Sequence, residues 1–317
     1  MERMMTMKVG TILPIGQDAE ADRPLPYAAI REMALQAEAD GFDSLWLPDH
    51  LLFRFPDQPQ FGIWECWTLL TALAEATERI ELGTLVLCLP FRNPAVLAKM
   101  AVTLDEVAGG RLILGLGAGW HQPEFDAIGA SFERLVDQFE EGLQIIAPLL
   151  RDGAVDFHGQ HFSAPNCEML PPSTREGGVP VMIASRGPRM LRLTARYADQ
   201  WNWAWSGRPT NYLTKHAELL EACAAEGRDP ATLTITVGLL IVFTEHLTEV
   251  LPESYSDPDR ALRGTTAEIA DGLLAYETLG VDHLICQPVP NTAATQAEMA
   301  KVLKLVREHM AEATPSA

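Results

Sequence analysis

Positively charged residues are scarce in this chain. Its 317 residues include 24 Lys and Arg against 43 Asp and Glu, which gives a formal net charge of −19. Nucleic acid and anionic membrane surfaces would both repel such a protein, because each carries dense negative charge of its own. We therefore expect neither as a partner, and the composition favours an enzyme that acts on a small molecule.

Closely spaced cysteines and long apolar segments are also missing. The five cysteines form no CxxC pair and no closely spaced framework, which argues against disulfides and a zinc knuckle; they are Cys66, Cys88, Cys167, Cys223 and Cys286. We expect reduced thiols and no metal site. No segment reaches the roughly 18 apolar residues of a membrane-spanning helix. The start, residues 1–9, also lacks a long apolar run, and the expected location is the cytoplasm.

The chain does contain a regular alternation of short apolar runs with longer amphipathic stretches, which is typical of βα units around a parallel sheet. Eight strands are predicted: Val9–Ile15, Ser44–Pro48, Ile80–Leu87, Leu112–Leu116, Val181–Ala184, Gln200–Ala204, Leu233–Val242 and His283–Gln287. Eight such units fit a single (β/α)8 TIM barrel over residues 1–317, with disordered tails at about 1–6 and 311–317. An open doubly wound sheet has the same periodicity.

Two stretches interrupt the alternation. After the fourth helix, Val155–Ser163 predicts a hairpin around His158 and His161, followed by a proline-rich loop. The second interruption is Thr244–Arg263, after the seventh strand. In a barrel, insertions at these places lie beside the mouth, where loops set substrate choice. The two histidines have a metal-ligand spacing but no third ligand nearby, so we predict no metal there.

The glycines of Gly115–Gly119 superficially match a dinucleotide-binding loop. Their third glycine comes one position early, and no second strand end with an acidic residue follows about twenty residues later. A Rossmann site is therefore disfavoured, and the glycines indicate a tight exit from the strand.

Polar and aromatic side chains follow the predicted strands. Asp49 and His50 end the second strand, where a barrel directs side chains toward its ligand, and His50 can move a proton near neutral pH. A cap on the next segment is the alternative reading. The turn of Ser185, Arg186 and Gly187 offers free N–H groups and a guanidinium for a phosphate, and Gly264–Thr266 competes with it. The alternation of the three tryptophans at 201, 203 and 205 places them on one face of the sixth strand.

Together these segments resemble the bacterial luciferase-like superfamily. The resemblance is carried by Gly41–His50, Ala76–Thr84, Phe91–Ala95, Gly110–Trp120, Phe157–Gly159 and Gly280–His283, in family order over nearly the whole chain. It implies a TIM barrel that binds FMN or the deazaflavin coenzyme F420 at its mouth, often as a homodimer. Asp rather than Glu before His50 resembles the deazaflavin-dependent members.

The resemblance also implies roles for particular residues. Asp49 would lie against the cofactor and His50 near its redox ring. The cofactor-binding set is Asp49, Gly83, Thr84, Leu85, Val86, Gly117, Ala118, Gly119, Trp120, Ser185, Arg186 and Gly187. We place a non-proline cis peptide, frequent in the family, at Leu85-Val86. The predicted substrate pocket is apolar and comprises Trp46, Trp64, Trp120, His121 and Trp205.

One position departs from the family. Sugar-phosphate dehydrogenases of the superfamily carry a glutamate as proton donor where this chain has Trp120, which argues against a sugar-phosphate substrate. Glu124, one helical turn further, receives no chemical role. The leading hypothesis is F420-dependent hydride transfer to or from a small apolar molecule, with His50 as proton donor or ring-stabilising group. The alternatives are an FMN-dependent monooxygenase supplied by a separate reductase, and a barrel that binds flavin without catalysis.

Overall fold

The computed structural model describes residues 7–17, 23–56, 60–246, 257 and 259–313. Parallel pairing closes eight strand positions into a barrel in the order β1, β2, β3, β5, β8, β9, β10, β12 and back to β1. These strands are β1 (Lys8–Ile12), β2 (Ser44–Leu47), β3 (Glu81–Thr84), β5 (Leu112–Gly117), β8 (Val181–Ala184), β9 (Gln200–Ser206), β10 (Thr234–Phe243) and β12 (His283–Pro288). The barrel prediction is confirmed, and the closed order excludes the open sheet.

Helices surround the sheet. They are α1 (Tyr27–Ala39), α2 (Cys66–Ala76), α3 (Pro94–Val107), α4 (Gln122–Ile128), α5 (Leu135–Arg151), α6 (Pro188–Tyr197), α7 (Thr210–Ala225), α8 (Thr266–Glu277) and α9 (Ala293–Ala313). The sequence accounts for their limits: the Asn93 side chain accepts from two backbone amides at the start of α3, and Gly109 and Gly110 adopt positive φ after its end. The last helix runs to Ala313, so 311–313 are helical and not a disordered tail; residues 1–6 and 314–317 lie outside the described residues.

Further strands modify the predicted pattern. The predicted third strand is divided into β3 and the short β4 (Leu87–Cys88), which pairs with β5. The predicted hairpin is present as the antiparallel pair β6 (Ala154–His158) and β7 (Ser163–Glu168). An unpredicted strand, β11 (Ala261–Gly264), pairs with the end of β10. Most of the second predicted insertion, 247–256 and 258, lies outside the described residues.

Two apolar layers follow from the alternation of side chains along each strand. The larger layer joins the outer face of the barrel to the helices. The smaller one consists of the alternate, inward-facing residues Ile12, Trp46, Ile113, Met182 and Ile285, and Leu85, Val86 and Trp205 pack against it. This inner layer fills the barrel below its carboxyl-terminal mouth and forms the floor on which the candidate site is built.

Candidate active site

A cavity of about 790 Å³ opens at the carboxyl ends of the barrel strands. Most of the predicted site residues line it: Asp49, His50, Leu85, Val86, Gly117, Ala118, Gly119, Trp120, Ser185, Arg186, Gly187 and Trp205. The structure therefore brings together the carboxyl end of β9 and the ends of β2, β3, β5 and β8 with the turns that follow those four strands. A cavity of this size is in the range that holds a cofactor and a small substrate.

His50 and Glu124 form a hydrogen-bonded pair in the wall of this cavity. The Nδ1 atom of His50 lies 2.9 Å from Oε2 of Glu124, and the other carboxylate oxygen accepts from the backbone amide of Leu51 at 2.5 Å. Burial acts to raise the pKa of Glu124, but the hydrogen bonds from His50 and the Leu51 amide outweigh it and hold the pKa below its ordinary value. Glu124 is therefore a carboxylate at neutral pH.

This pairing fixes the state of the imidazole. Because an ionised carboxylate can only accept, the Nδ1 atom of His50 carries a proton, an assignment made from the hydrogen-bond network. The Nε2 atom has no hydrogen-bond partner among the described residues and is free to exchange a proton with a bound molecule. The sequence analysis assigned Glu124 no chemical role, but α4 places its carboxylate in contact with the histidine.

Aromatic rings cover this side of the cavity. The ring of His50 lies 4.4 Å from that of Phe53 and 5.6 Å, edge to face, from that of Trp120. Trp120 is stacked on Phe55 and is 60% exposed, so its indole is available to a ligand at the mouth. Such a wall favours a planar or apolar molecule, because aromatic rings provide no opposite charge for a multiply charged one.

The Asp49 carboxylate is saturated by protein groups. Its two oxygens accept from both terminal nitrogens of Arg92, at 2.6 and 2.8 Å, and one of them also accepts from the Cys88 amide at 2.9 Å. The carboxylate is completely buried. Asp49 borders the cavity, but its charge is directed at Arg92, and these bonds hold the turn that carries His50. The contact of Asp49 with a cofactor stays a prediction.

Arg92 also contacts a group of side chains that could otherwise hold a metal ion. Asp49, Glu65 and Cys66 bring three potential ligand atoms within 4.8 Å of one another. The Arg92 guanidinium contacts both carboxylates, with a distance of 3.1 Å to Glu65. A cation of the protein thus already balances the charge that a metal ion would meet.

Three predicted residues lie beneath the cavity and not on its surface. Trp46 is fully buried inside the barrel, and its indole donates to the Ser44 hydroxyl at 2.7 Å. The ring occupies the space beside Gly83, where a Cβ atom would lie 2.2 Å from it. Thr84 is buried and hydrogen-bonded to Gly115 through its hydroxyl. These three residues support the floor, because side chains before the strand ends point into the packed interior.

Trp64 and His121 also lie outside the cavity lining. The Trp64 indole is 43% exposed and donates to the Leu25 carbonyl, on the outer side of the barrel mouth. His121 is buried, accepts from the Arg54 amide at 3.2 Å through Nε2, and packs 5.0 Å from the Trp120 ring. Its part in the pocket is to support Trp120, since it does not reach the cavity.

Two guanidinium groups mark another part of the lining. Arg186, in the turn before α6, lies 4.9 Å above the Trp203 ring and donates to the Ala204 carbonyl. Burial lowers its pKa, and the nearby charge of Arg260, a cavity residue that sequence reasoning missed, lowers it further. Neither guanidinium forms an ion pair within the part of the chain that the structure describes. Together with the uncapped start of α6 at Gly187, they favour an anionic group.

The competing phosphate-binding turn, Gly264–Thr266, already uses its polar groups in bonds within the protein. The Thr265 hydroxyl accepts from the Glu268 amide and the Glu268 carboxylate accepts from the Thr265 amide, which forms a capping box at the start of α8, and Gly264 packs against the Glu268 side chain. Gly264, Thr265 and Thr266 do not line the cavity. Of the two turns, only Ser185–Gly187 lines the cavity, and the Ser185 hydroxyl itself is bonded to Thr194.

The three tryptophans of β9 do not share one face. Trp201 and Trp203 pack in the helix-facing layer, whereas Trp205 joins the inward-facing cluster and the cavity. Pairing with β10 shifts after Ala204–Gly238, so that Ser206 pairs with Leu239 and Trp205 is the extra residue. A shift of one residue turns a side chain to the other face, which sequence alternation alone does not reveal.

Two non-proline cis peptides border the cavity. One joins Leu85 and Val86, as predicted, and the other joins Ala204 and Trp205, which was not predicted. All four residues line the cavity.

Comparison with known proteins agrees with this geometry. Residues 7–257 match the family model of luciferase-like monooxygenases. The chain is 32% identical over 246 residues to a phthiodiolone/phenolphthiodiolone dimycocerosates ketoreductase of Mycobacterium sp. (strain JLS), covering 72% of this chain and 64% of the relative. It is 33% identical to the pyrimidine monooxygenase RutA of Methylobacterium radiotolerans, covering 70% and 61%. The alignments thus span less than two thirds of these relatives.

Solved structures share the fold. An F420-dependent secondary alcohol dehydrogenase, solved with an F420-acetone adduct, superimposes with a TM-score of 0.76 at 20% identity, over 96% of this chain and all of that one. This likeness shows that the two proteins share the TIM-barrel fold. The chain belongs to the luciferase-like monooxygenase family. Within the described residues, no helix is long and apolar enough to cross a membrane.

Proposed function

We propose that this protein is an F420-dependent oxidoreductase that interconverts a carbonyl and an alcohol on a small, mostly apolar molecule. The observation that carries the proposal is the His50–Glu124 pair, which presents a free imidazole nitrogen to the cavity beside an aromatic wall. A bound deazaflavin supplies or accepts a hydride. The name of the mycobacterial ketoreductase relative supports the carbonyl chemistry.

The residues present fit such a cofactor. The apolar floor of Leu85 and Val86 and the small residues Gly117 and Ala118 leave room for a planar ring, and the guanidinium groups of Arg186 and Arg260 would hold its anionic tail. In the reducing direction His50 would give the proton on Nε2 to the carbonyl oxygen of the substrate. In the other direction the same nitrogen accepts the alcohol proton. The Glu124 carboxylate stabilises the charged imidazole in both directions.

Cofactor titration followed by turnover tests this proposal. Binding of F420 and of FMN to the purified protein is measured first, and then reduction of a panel of apolar ketones with reduced F420. We expect F420 to bind and His50→Ala to reduce turnover at least a hundredfold while cofactor affinity changes little. His158→Ala, in the exposed β6–β7 hairpin, is the matched control. Tight FMN binding with no F420 binding would contradict the cofactor assignment.

A flavin monooxygenase is the second candidate. It is favoured by the similarity to a pyrimidine monooxygenase and by the family description. This function would require FMN reduced by a separate reductase, and it consumes oxygen in step with substrate. Oxygen uptake with reduced FMN, compared with and without substrate, distinguishes the two. Tight cofactor binding with no turnover on any substrate panel would instead support a barrel that binds flavin without catalysis. We also propose a homodimer, as the family resemblance implies, which sedimentation would test.

A further inference from the structure

One buried acceptor in the cavity lining has no partner. Among the described residues, five buried side-chain polar atoms lack a hydrogen bond, on His161, Gln200, Asn202, Trp203 and Tyr212. Only Asn202 among them lines the cavity, and it is 1% exposed. An unpaired buried acceptor costs about 1–3 kcal/mol, so such atoms are rare in folded proteins unless a ligand completes them.

The hydrogen-bond network fixes which end of the amide is unpaired. The Thr236 hydroxyl has a single proton, which it gives to the Trp201 carbonyl at 2.9 Å or to the Met182 sulfur at 3.4 Å. With the proton on either of these acceptors, the hydroxyl oxygen accepts from Nδ2 of Asn202 at 2.8 Å. The Nδ2 group of Asn202 therefore faces Thr236, and the unpaired atom is the acceptor Oδ1.

The surroundings restrict what can meet this oxygen. Asn202 pairs with Ala184 in β8, and Ala204 follows two positions later on the same face of β9; both alanines line the cavity. Their short side chains allow the edge of a planar group to approach closely. Because Oδ1 can only accept, the group must carry an N–H or O–H, which an apolar ketone does not have.

We propose that Asn202 accepts a hydrogen bond from the imide N–H of the bound cofactor ring. Flavins and deazaflavins share this donor in their oxidised and reduced forms, so the inference rests on the proposed function but not on the choice between the two cofactors. Asn202 thereby sets the depth and rotation of the ring in the barrel, and Thr236 holds its amide in the accepting orientation.

The first test needs no variant. Affinities of the unmodified protein are measured for FMN and for the phosphate of 5-deazariboflavin, each compared with its N3-methyl derivative, in which the imide proton is replaced. We expect methylation to weaken binding at least about tenfold, the size of one lost hydrogen bond. Equal affinity of the methylated and unmethylated rings overturns the inference. If neither parent ring nor F420 binds, the proposed function fails as well, and the two failures are thereby distinguished.

The second test locates the acceptor. In Asn202→Ala the parent rings should bind about tenfold more weakly, and the penalty for methylation should fall to within about twofold. Gln200→Leu is the matched control: Gln200 lies on the same face of β9, its side-chain oxygen is also unpaired, and it does not line the cavity. This control should keep the full methylation penalty. A penalty retained in Asn202→Ala would place the acceptor elsewhere and overturn the proposal.

Discussion

The Glu124→Gln substitution gives the sharpest test of the site. In the unmodified protein, the carboxylate accepts from Nδ1 of His50 at 2.9 Å and from the Leu51 amide at 2.5 Å. Glutamine has nearly the same shape and keeps one acceptor for the amide. It turns an N–H group toward the imidazole, however, so the charged imidazole loses its counter-charge and faces a second donor.

The magnitude follows from the bond that is lost. A hydrogen bond between charged groups contributes about 1.5–3 kcal/mol, which corresponds to roughly a 10- to 150-fold decrease in turnover if the charged imidazole is present in the transition state. Cofactor affinity should change little, because Glu124 contacts His50 and backbone amides rather than the Ser185–Gly187 turn. Steady-state turnover with reduced F420 and an apolar ketone measures the effect.

A matched variant guards against a merely structural effect. Glu141→Gln removes another carboxylate that accepts from backbone amides, those of residues 160, 161 and 162, but it lies in contact with the β6–β7 turn and away from the cavity. It should leave turnover unchanged. If Glu124→Gln also retained full turnover while binding the cofactor normally, the carboxylate would have no part in the chemistry and the reasoning would be refuted.

The Glu124→Gln substitution should also change how the stability of the protein depends on pH. Because the pKa of Glu124 is depressed in the folded protein, its ionised form stabilises the fold above the pKa of the unfolded chain. This contribution disappears as the pH falls through the depressed folded value. Thermal melts at decreasing pH should therefore show a smaller acid loss of Tm for Glu124→Gln than for the unmodified protein. Parallel acid profiles of the two proteins would mean that the His50 pair does not form in solution.

Three further predictions concern the frame of the cavity. Arg92→Leu leaves the Asp49 carboxylate buried without its cation and should lower the free energy of unfolding by about 3–5 kcal/mol in urea titrations, whereas a surface substitution would have almost no effect. Arg260→Gln should weaken FMN binding roughly three- to tenfold and reduce its salt dependence but leave riboflavin binding unchanged; an equal effect on both would rule out a phosphate contact. Gly119→Ala should destabilise the protein by about 1–3 kcal/mol, because φ is 84° and the new Cβ would lie 2.6 Å from the Cys88 sulfur, and an unchanged Tm would contradict this.

The polar groups of the cavity form two sets, and we expect a different task of each. His50 and Glu124 form a hydrogen-bonded pair beside the rings of Phe53 and Trp120, where a proton transfer is expected. Arg186 and Arg260 provide positive charge in a chain whose net charge is −19. Their neighbouring charges repel each other, and a bound anion would relieve that repulsion. An anionic cofactor with an apolar redox ring matches both parts.

Local patterns were sufficient for much of this result. The alternation of apolar strands with amphipathic helices predicted the barrel units, because burial on both faces of a parallel strand requires continuous apolar sequence. The same patterns placed the turns at His50 and Ser185–Gly187 at one mouth, since the carboxyl ends of barrel strands all meet there, and the family resemblance added Gly117–Trp120. These predictions depend only on residues near one another in the chain.

Tertiary structure alone decided how those turns are used. Glu124 lies 74 positions from His50, and Arg92 lies 43 positions from Asp49, so no spacing rule relates either pair. A one-residue shift between β9 and β10 turned Trp205 into the cavity, and close packing against Gly83 kept Trp46 out of it. The sequence by itself determined the βα units and the ends of their strands through local burial patterns, whereas the closed pairing of the strands decided between a barrel and an open sheet. Which carboxylate meets the histidine, and which one is neutralised by arginine, depended on contacts that exist only after the barrel closes.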